Sequence, residues 1–165
     1  MSNSVLLSNV ENALEKYKIE HQVMDCSPEY ADTAAFCEHY GISPEQSANT
    51  ILVASRKVEP VKYAVCVVLA TNRLDVNKTV CKLMGVKKAS FADAETTMAH
   101  TGMMIGGVTA VGINNLPIYI DSSVMKQKEI VMGGGNRSSK IRLSPVELLK
   151  IPNIEVVDGL AAIKN

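Results

Sequence analysis

The order of elements predicts an α/β protein of the α+β type, a mixed sheet or small barrel with helices outside. The chain has 165 residues, the length of one ordinary domain, so 1–165 reads as a single unit. Hydrophobic residues make up 47% and charged residues 21%, which supplies a packed core and excludes disordered or collagen-like classes. Strand and helix patterns follow one another without regular alternation, which disfavours a doubly wound parallel sheet.

Residues 4–18 place Val5, Leu6, Val10, Ala13, Leu14 and Tyr17 at helical spacing, with Ser and Asn available before them as caps. A short strand over 20–24 follows and breaks at Ser27-Pro28, and a second helix runs through Ala34, Ala35 and Phe36 to Gly41. Ser43-Pro44 opens a short helical turn. Strands over 50–54 and 63–69 share a polar connection through Arg56, Lys57 and Pro60, which suits a hairpin. Asp75 caps a helix that runs to Met84 and closes at Gly85, and Asp93 caps residues 94–100, with Gly102 behind. Residues 101–112, rich in glycine and poor in charge, lead into a strand over 116–120. A strand over 129–132 enters Gly133-Gly134-Gly135-Asn136-Arg137-Ser138, and a strand over 140–143 leaves it. Ser144-Pro145-Val146-Glu147 reads as a capping box opening a helix through Leu149, and a last strand covers 154–157.

Composition excludes several functions. Lys plus Arg and Asp plus Glu both total 17, so the net charge is zero, which argues against holding long nucleic acid by charge alone. With no Trp, 2 Phe and 5 Tyr, a base-stacking platform of the single-strand-binding type is also disfavoured. Met1 to Val10 carries no basic residue and no apolar run approaches the roughly 18 residues that span a bilayer, so the chain reads as cytoplasmic and without a membrane partner. Cys26, Cys37, Cys66 and Cys81 lie far apart, with neither zinc-ligand spacing nor a disulfide framework, and read as reduced, mostly buried thiols. No metal and no cofactor is signalled.

The chemistry points to backbone more than to side chains. His21, His39 and His100 are isolated, and no G-x-S-x-G elbow exists. Gly106-Gly107 and Gly133-Gly134-Gly135 each lie beside a strand, where glycine brings bare N–H groups against a ligand oxygen, yet neither matches G-x-G-x-x-G or a P-loop. Asp121, closing its strand, is the acidic residue best placed to reach such a pocket, with a cap on the turn at Ser122-Ser123 as the alternative. Positioning and backbone hydrogen bonding are the expected means of catalysis.

Five segments occur in the order and spacing of the YbaK/ProX (YbaK/EbsC) family: residues 46–53, Leu74-Asp75 before a helix ending Leu83-Met84-Gly85, Thr101-Gly102 with Gly106-Gly107-Val108-Thr109, residues 116–121, and residues 133–138. The resemblance covers about residues 4–157. These are trans-editing aminoacyl-tRNA deacylases related to the insertion domain of bacterial prolyl-tRNA synthetase. The resemblance implies a barrel-like mixed sheet with helices around it, and hydrolysis of the ester of a mischarged tRNA, typically prolyl-tRNA carrying alanine or cysteine. It implies the tRNA acceptor end as partner, and prolyl-tRNA synthetase or another synthetase as a second. The family's catalysis is attributed to a water or the terminal ribose hydroxyl beside backbone donors of the glycine loop.

By position, Asn49, Gly106, Gly107 and Thr109 would be the catalytic set, the last three holding the substrate carbonyl. Thr50, Asp121, Gly134, Gly135, Arg137, Ser138 and Lys140 would bind substrate or the terminal nucleotide. Asn49 stands where many members carry lysine, and Lys140 where cysteinyl-specific members carry an acidic residue, so Lys140 either replaces part of the missing lysine or is a solvated strand residue. Ala110 stands where proline is common, which predicts a looser loop after Thr109. Two alternatives stay open beside the deacylase: a weakened binding module of the same fold, and an enzyme acting on another small aminoacyl ester.

Overall fold

The computed structural model describes residues 5–164. Ser4, where the expected first helix begins, lies outside them. The helix α1 spans Ser8–Lys16 and turns Val10, Ala13 and Leu14 inward at i, i+3 and i+4. Leu7 occupies its N-cap position with no side-chain cap among the described residues, and the Ser and Asn expected as caps before the helix lie outside them. β1 (Gln22–Asp25), a 3-10 turn at Pro28–Tyr30 and α2 (Thr33–Tyr40) follow, and Gly41 ends α2 in the left-handed conformation with φ 68°. β2 (Ala48–Ser55) and β3 (Tyr63–Leu69) form the expected antiparallel hairpin, with Asn49 opposite Val68.

β4 (Asn72–Leu74) precedes a π-helical turn over Val76–Val80 that runs into α3 (Cys81–Met84). The Asp75 carboxylate accepts from Lys78 N and Thr79 N, as a cap should. β5 (Ala89–Phe91) and α4 (Ala94–Thr101) come next, and Asp93 accepts from Thr96 N. β6 (Ile118–Asp121) leads directly into α5 (Ser122–Met125), and β7 (Ile130–Gly133) and β8 (Ser139–Leu143) flank the second glycine loop. A 3-10 helix over Pro145–Lys150, then β9 (Ile154–Val157) and β10 (Ala161–Ile163), complete the described chain. The capping box at Ser144 does not form: Glu147 Oε1 instead accepts from Glu20 N and Lys150 Nζ at 2.7 Å, which ties this helix to the start of the chain.

The mixed α+β organisation is as expected, but the sheets stay open and do not close into a barrel. A five-stranded sheet has the order β5-β2-β3-β6-β9, antiparallel over β5-β2-β3 and parallel over β3-β6-β9. A three-stranded antiparallel sheet β1-β8-β7 meets it at a parallel bridge between Ser47 and Val131. The main core packs between the two, with Leu52, Val65, Val67, Met132 and Ile141 among its residues. β8 is covered on both faces, since consecutive residues Ser139, Lys140 and Ile141, which point to alternate sides, are all buried. Ile141 joins the main core, and its neighbour Lys140 turns toward a second cluster containing Phe36, Cys26 and Cys37.

Three strands escaped the sequence reading, β4, β5 and β10, each three residues long and too short for alternation to show. All four cysteines are buried and unpaired, and burial pushes the Cys66 thiol up to about 12.

Candidate functional site

A cavity of about 270 Å³ opens where the two larger sheets meet α2. β2 supplies Asn49 and Thr50, α2 supplies Thr33 and Phe36, the first glycine loop supplies Ile105 and Gly106, and β7 and β8 supply Gly133 and Lys140. Residues more than a hundred positions apart in sequence thus share one wall.

Lys140 is the buried cation of this wall, only 7% exposed. Its Nζ donates to Gly106 O at 2.6 Å and to Ala31 O at 2.7 Å, and lies 5.1 Å from the Phe36 ring centroid. Burial lowers the pKa of this ammonium; the nearby Cys26, Asp32 and Cys37 act against that shift. The two carbonyl bonds compensate its desolvation, and the one to Gly106 O fixes the Gly106–Gly107 peptide at the cavity edge, while Arg137 holds the preceding peptide, which carries Gly106 N–H, through Ile105 O. Gly106 N–H has no hydrogen-bond partner among the described residues. Asn49 is half-buried at the rim: Thr33 Oγ1 donates to its Oδ1 at 2.6 Å, and its Nδ2 has no partner among the described residues. Thr50 Oγ1 is buried and unpartnered against the same cavity.

Other expected site residues hold the site together from outside it. Gly107 does not line the cavity: its N–H donates to Met104 O at 2.8 Å and its carbonyl accepts from Gly135 N at 2.7 Å. That contact joins the two glycine loops, and a Cβ on Gly107 would lie 1.9 Å from Asn136 O. Gly134 and Gly135 likewise face away, against Leu6, Leu7 and Val10, where a Cβ would overlap the side chains around α1. Glycine is needed at these positions for close packing, and no bare donor is presented there.

Arg137 is also engaged. Its guanidinium donates to Asp32 Oδ1 and Ile105 O at 2.9 Å and to Pro28 O at 2.8 Å, clamping the entry to α2 onto the loop that carries Gly106. This hydrogen bond holds the Asp32 carboxyl below the usual carboxylate range. Ser138 is exposed, with its N–H donating to Asn136 Oδ1.

Thr109 and Asp121 do not line the cavity. Thr109 is fully buried, its N–H directed at Met103 Sδ and its hydroxyl unpartnered. Asp121 is 2% exposed and serves as the α5 cap: it accepts from Ser123 N at 3.3 Å and from Ala161 N at 3.1 Å, and binds the Ser123 hydroxyl. The cap alternative at Ser122-Ser123 is the one realised.

Sequence reasoning missed Asp32, Thr33, Phe36 and Phe91. None sits in a recognisable motif, and only the tertiary approach of α2 and β5 to β2 brings them to the cavity. Among the described residues no group of three or more His, Cys, Asp or Glu side chains could hold a metal ion. No helix among them is long and apolar enough to cross a membrane.

The chain is similar to known proteins over most of its length. A curated protein of Enterococcus faecalis with the proposed name Cys-tRNA(Pro)/Cys-tRNA(Cys) deacylase EbsC is 24% identical over 149 residues, 88% of each chain. A solved structure described as a proposed trans-editing enzyme for prolyl tRNA synthetase superposes with TM-score 0.78 at 27% identity, covering 95% of this chain and 98% of that one. The hypothetical protein APE2540 shares the fold, with TM-score 0.81 at 21% identity over 93% of this chain and 99% of its own. The family model described as the aminoacyl-tRNA editing domain matches residues 27–151. That stretch carries every segment that walls the cavity, and by it the chain belongs to the aminoacyl-tRNA editing domain family.

Proposed function

We propose that the chain hydrolyses the aminoacyl ester of mischarged tRNA, with prolyl-tRNA carrying alanine or cysteine as the substrate class. The observation that carries this reading is the Lys140–Gly106 contact at the edge of a small cavity, which fixes a backbone edge without a side-chain triad. Pockets for drug-sized ligands run to about 300–1,000 Å³, so a cavity of about 270 Å³ suits a small amino-acid moiety and not a nucleotide.

In this mechanism the ester carbonyl is polarised by the Gly106 N–H and the Thr50 hydroxyl, while the Asn49 amide orients the terminal ribose. Water attacks the carbonyl carbon, the bond to the ribose oxygen breaks, and the proton of the water passes to that oxygen. Lys140 holds the loop through its two carbonyl partners. A synthetase, prolyl-tRNA synthetase or another, fits as the supplier of the mischarged tRNA.

Asn49 favours a second reading. An amide bonded to Thr33 brings no charge to the ester, which suits a binding module of the same fold. Deacylation across a panel of mischarged tRNAs separates the two. Turnover of alanyl- or cysteinyl-tRNA(Pro), lost in Asn49→Ala, supports the deacylase; turnover of none with binding retained leaves the binding module.

A further inference from the structure

We infer that the Asp32 carboxylate takes the α-ammonium group of the aminoacyl ester, so that the cavity selects esters with a free amine; the inference rests on the deacylase reading above. Among the described residues that line the cavity, Asp32 is the only acidic one. The other charged lining residue, Lys140, has turned its Nζ onto Ala31 O and Gly106 O. A cationic group entering this space therefore meets a single countercharge. Esters whose nitrogen is acylated, peptidyl esters included, carry no charge there and lose that contact.

Position sets what this carboxylate can reach. A Cβ built on Gly106 would lie 3.0 Å from Asp32 Oδ1, so the carboxylate stands beside the glycine whose N–H meets the ester carbonyl in the proposed mechanism. Bond lengths place the α-nitrogen and the carbonyl oxygen of an aminoacyl ester about 3 Å apart. A carbonyl held at Gly106 thus leaves its amine within reach of Asp32. The amino-acid side chain is left the apolar surface of Phe36, Leu52, Val131 and Met132. Donor, carboxylate and apolar wall match the carbonyl, the amine and the side chain carried by one α-carbon.

Asp32 also forgoes its local role. It occupies the N-cap position of α2, where aspartate ordinarily accepts a backbone N–H, yet its side chain makes no cap hydrogen bond. It accepts instead from Arg137, whose Nη1 donates to Oδ1 at 2.9 Å and whose Nη2 donates to Oδ2 at 3.4 Å. Each carboxylate oxygen can accept more than one hydrogen bond and the side chain stays 64% exposed, so acceptor capacity remains toward the cavity. The same guanidinium holds the carboxyl below the usual carboxylate range, which keeps it charged at neutral pH. A local rule broken at the wall of a cavity marks a residue placed for a ligand.

The test compares alanine with lactate, which puts a hydroxyl where alanine has its ammonium and is otherwise the same size. Acceptor minihelices carrying either group through a 3′-amide resist hydrolysis and report binding alone. The wild-type protein is expected to bind the alanyl analogue about tenfold more tightly than the lactyl one, and Asp32→Asn to bind the two alike. In turnover, Asp32→Asn should lower the ratio of kcat/KM for alanyl-tRNA(Pro) over lactyl-tRNA(Pro) by the same factor, whatever the intrinsic reactivity of the two esters. Loosening of the Arg137 clamp alone would weaken both members of a pair together and leave their ratio as in wild type. That unchanged ratio, or equal binding of the two analogues by wild type, overturns the inference. Hydrolysis of alanyl-tRNA(Pro) with equal binding retires the amine site alone, and Asp32-dependent binding without hydrolysis retires the deacylase alone.

Discussion

Lys140 Nζ donates to the carbonyl oxygen of Gly106 at 2.6 Å, joining the central strand of one sheet to a loop 34 residues earlier. The contact makes a buried ammonium a structural pin for the backbone edge of the cavity. Lys140→Met is expected to lower single-turnover deacylation about ten- to a hundredfold by releasing that edge. Its stability cost, about 1–3 kcal/mol for each carbonyl left unpaired, is offset in part because no charge is buried any longer. An unchanged rate in a folded Lys140→Met protein counts against the pin.

The two glycines of the first loop should respond differently to a methyl group. A Cβ on Gly106 meets the end of the Arg137 side chain, which can swing aside, although the φ of 93° remains unfavourable. On Gly107 the same Cβ meets the backbone of Asn136, which cannot. Gly107→Ala should therefore be the more damaging, at roughly 3 kcal/mol or more against about 1–2 for Gly106→Ala. Chemical denaturation of both variants gives the order directly.

Thr50 and Thr109 each bury an unpartnered hydroxyl, but only Thr50 lines the cavity. Thr109→Val removes an unsatisfied group from a packed site, so it should retain activity and gain about 1 kcal/mol, or roughly 2–4 °C in Tm. Thr50→Val should keep its fold and lose turnover. Equal activity losses in both variants would mean that the Thr109 hydroxyl reaches the substrate after all.

The Asp32–Arg137 pair gives stability a pH dependence. Arg137 lowers the folded pKa of Asp32, so the contribution is complete above the unfolded value of about 4 and is lost as pH falls through the folded one. The Asp32 side chain is 64% exposed, so screening limits the pair to below about 1 kcal/mol. Melting curves of Asp32→Asn should fall slightly below wild type at pH 7, and the gap should narrow as pH falls below about 4.

Local signals in the sequence determined much of the fold. Asp75 and Asp93 cap their helices, Gly41, Gly85 and Gly102 close three of them in the left-handed conformation, and β2 and β3 pair as the hairpin their patterns predict. Caps, turns and strand alternation act over a few residues, so a chain read in order reveals them. The glycine-rich segments were legible as loops beside strands for the same reason.

Tertiary structure alone decided what each loop residue does. It brings Arg137 to Asp32 across 105 positions, turns Gly107 and Gly135 toward each other, and buries Lys140 beneath Phe36 because β8 is covered on both faces. It also places Thr33 and Phe91 at the cavity. No local pattern encodes these outcomes: they follow from which faces the two sheets present when they pack, and a side chain becomes pin, cap or site residue according to the partners found there.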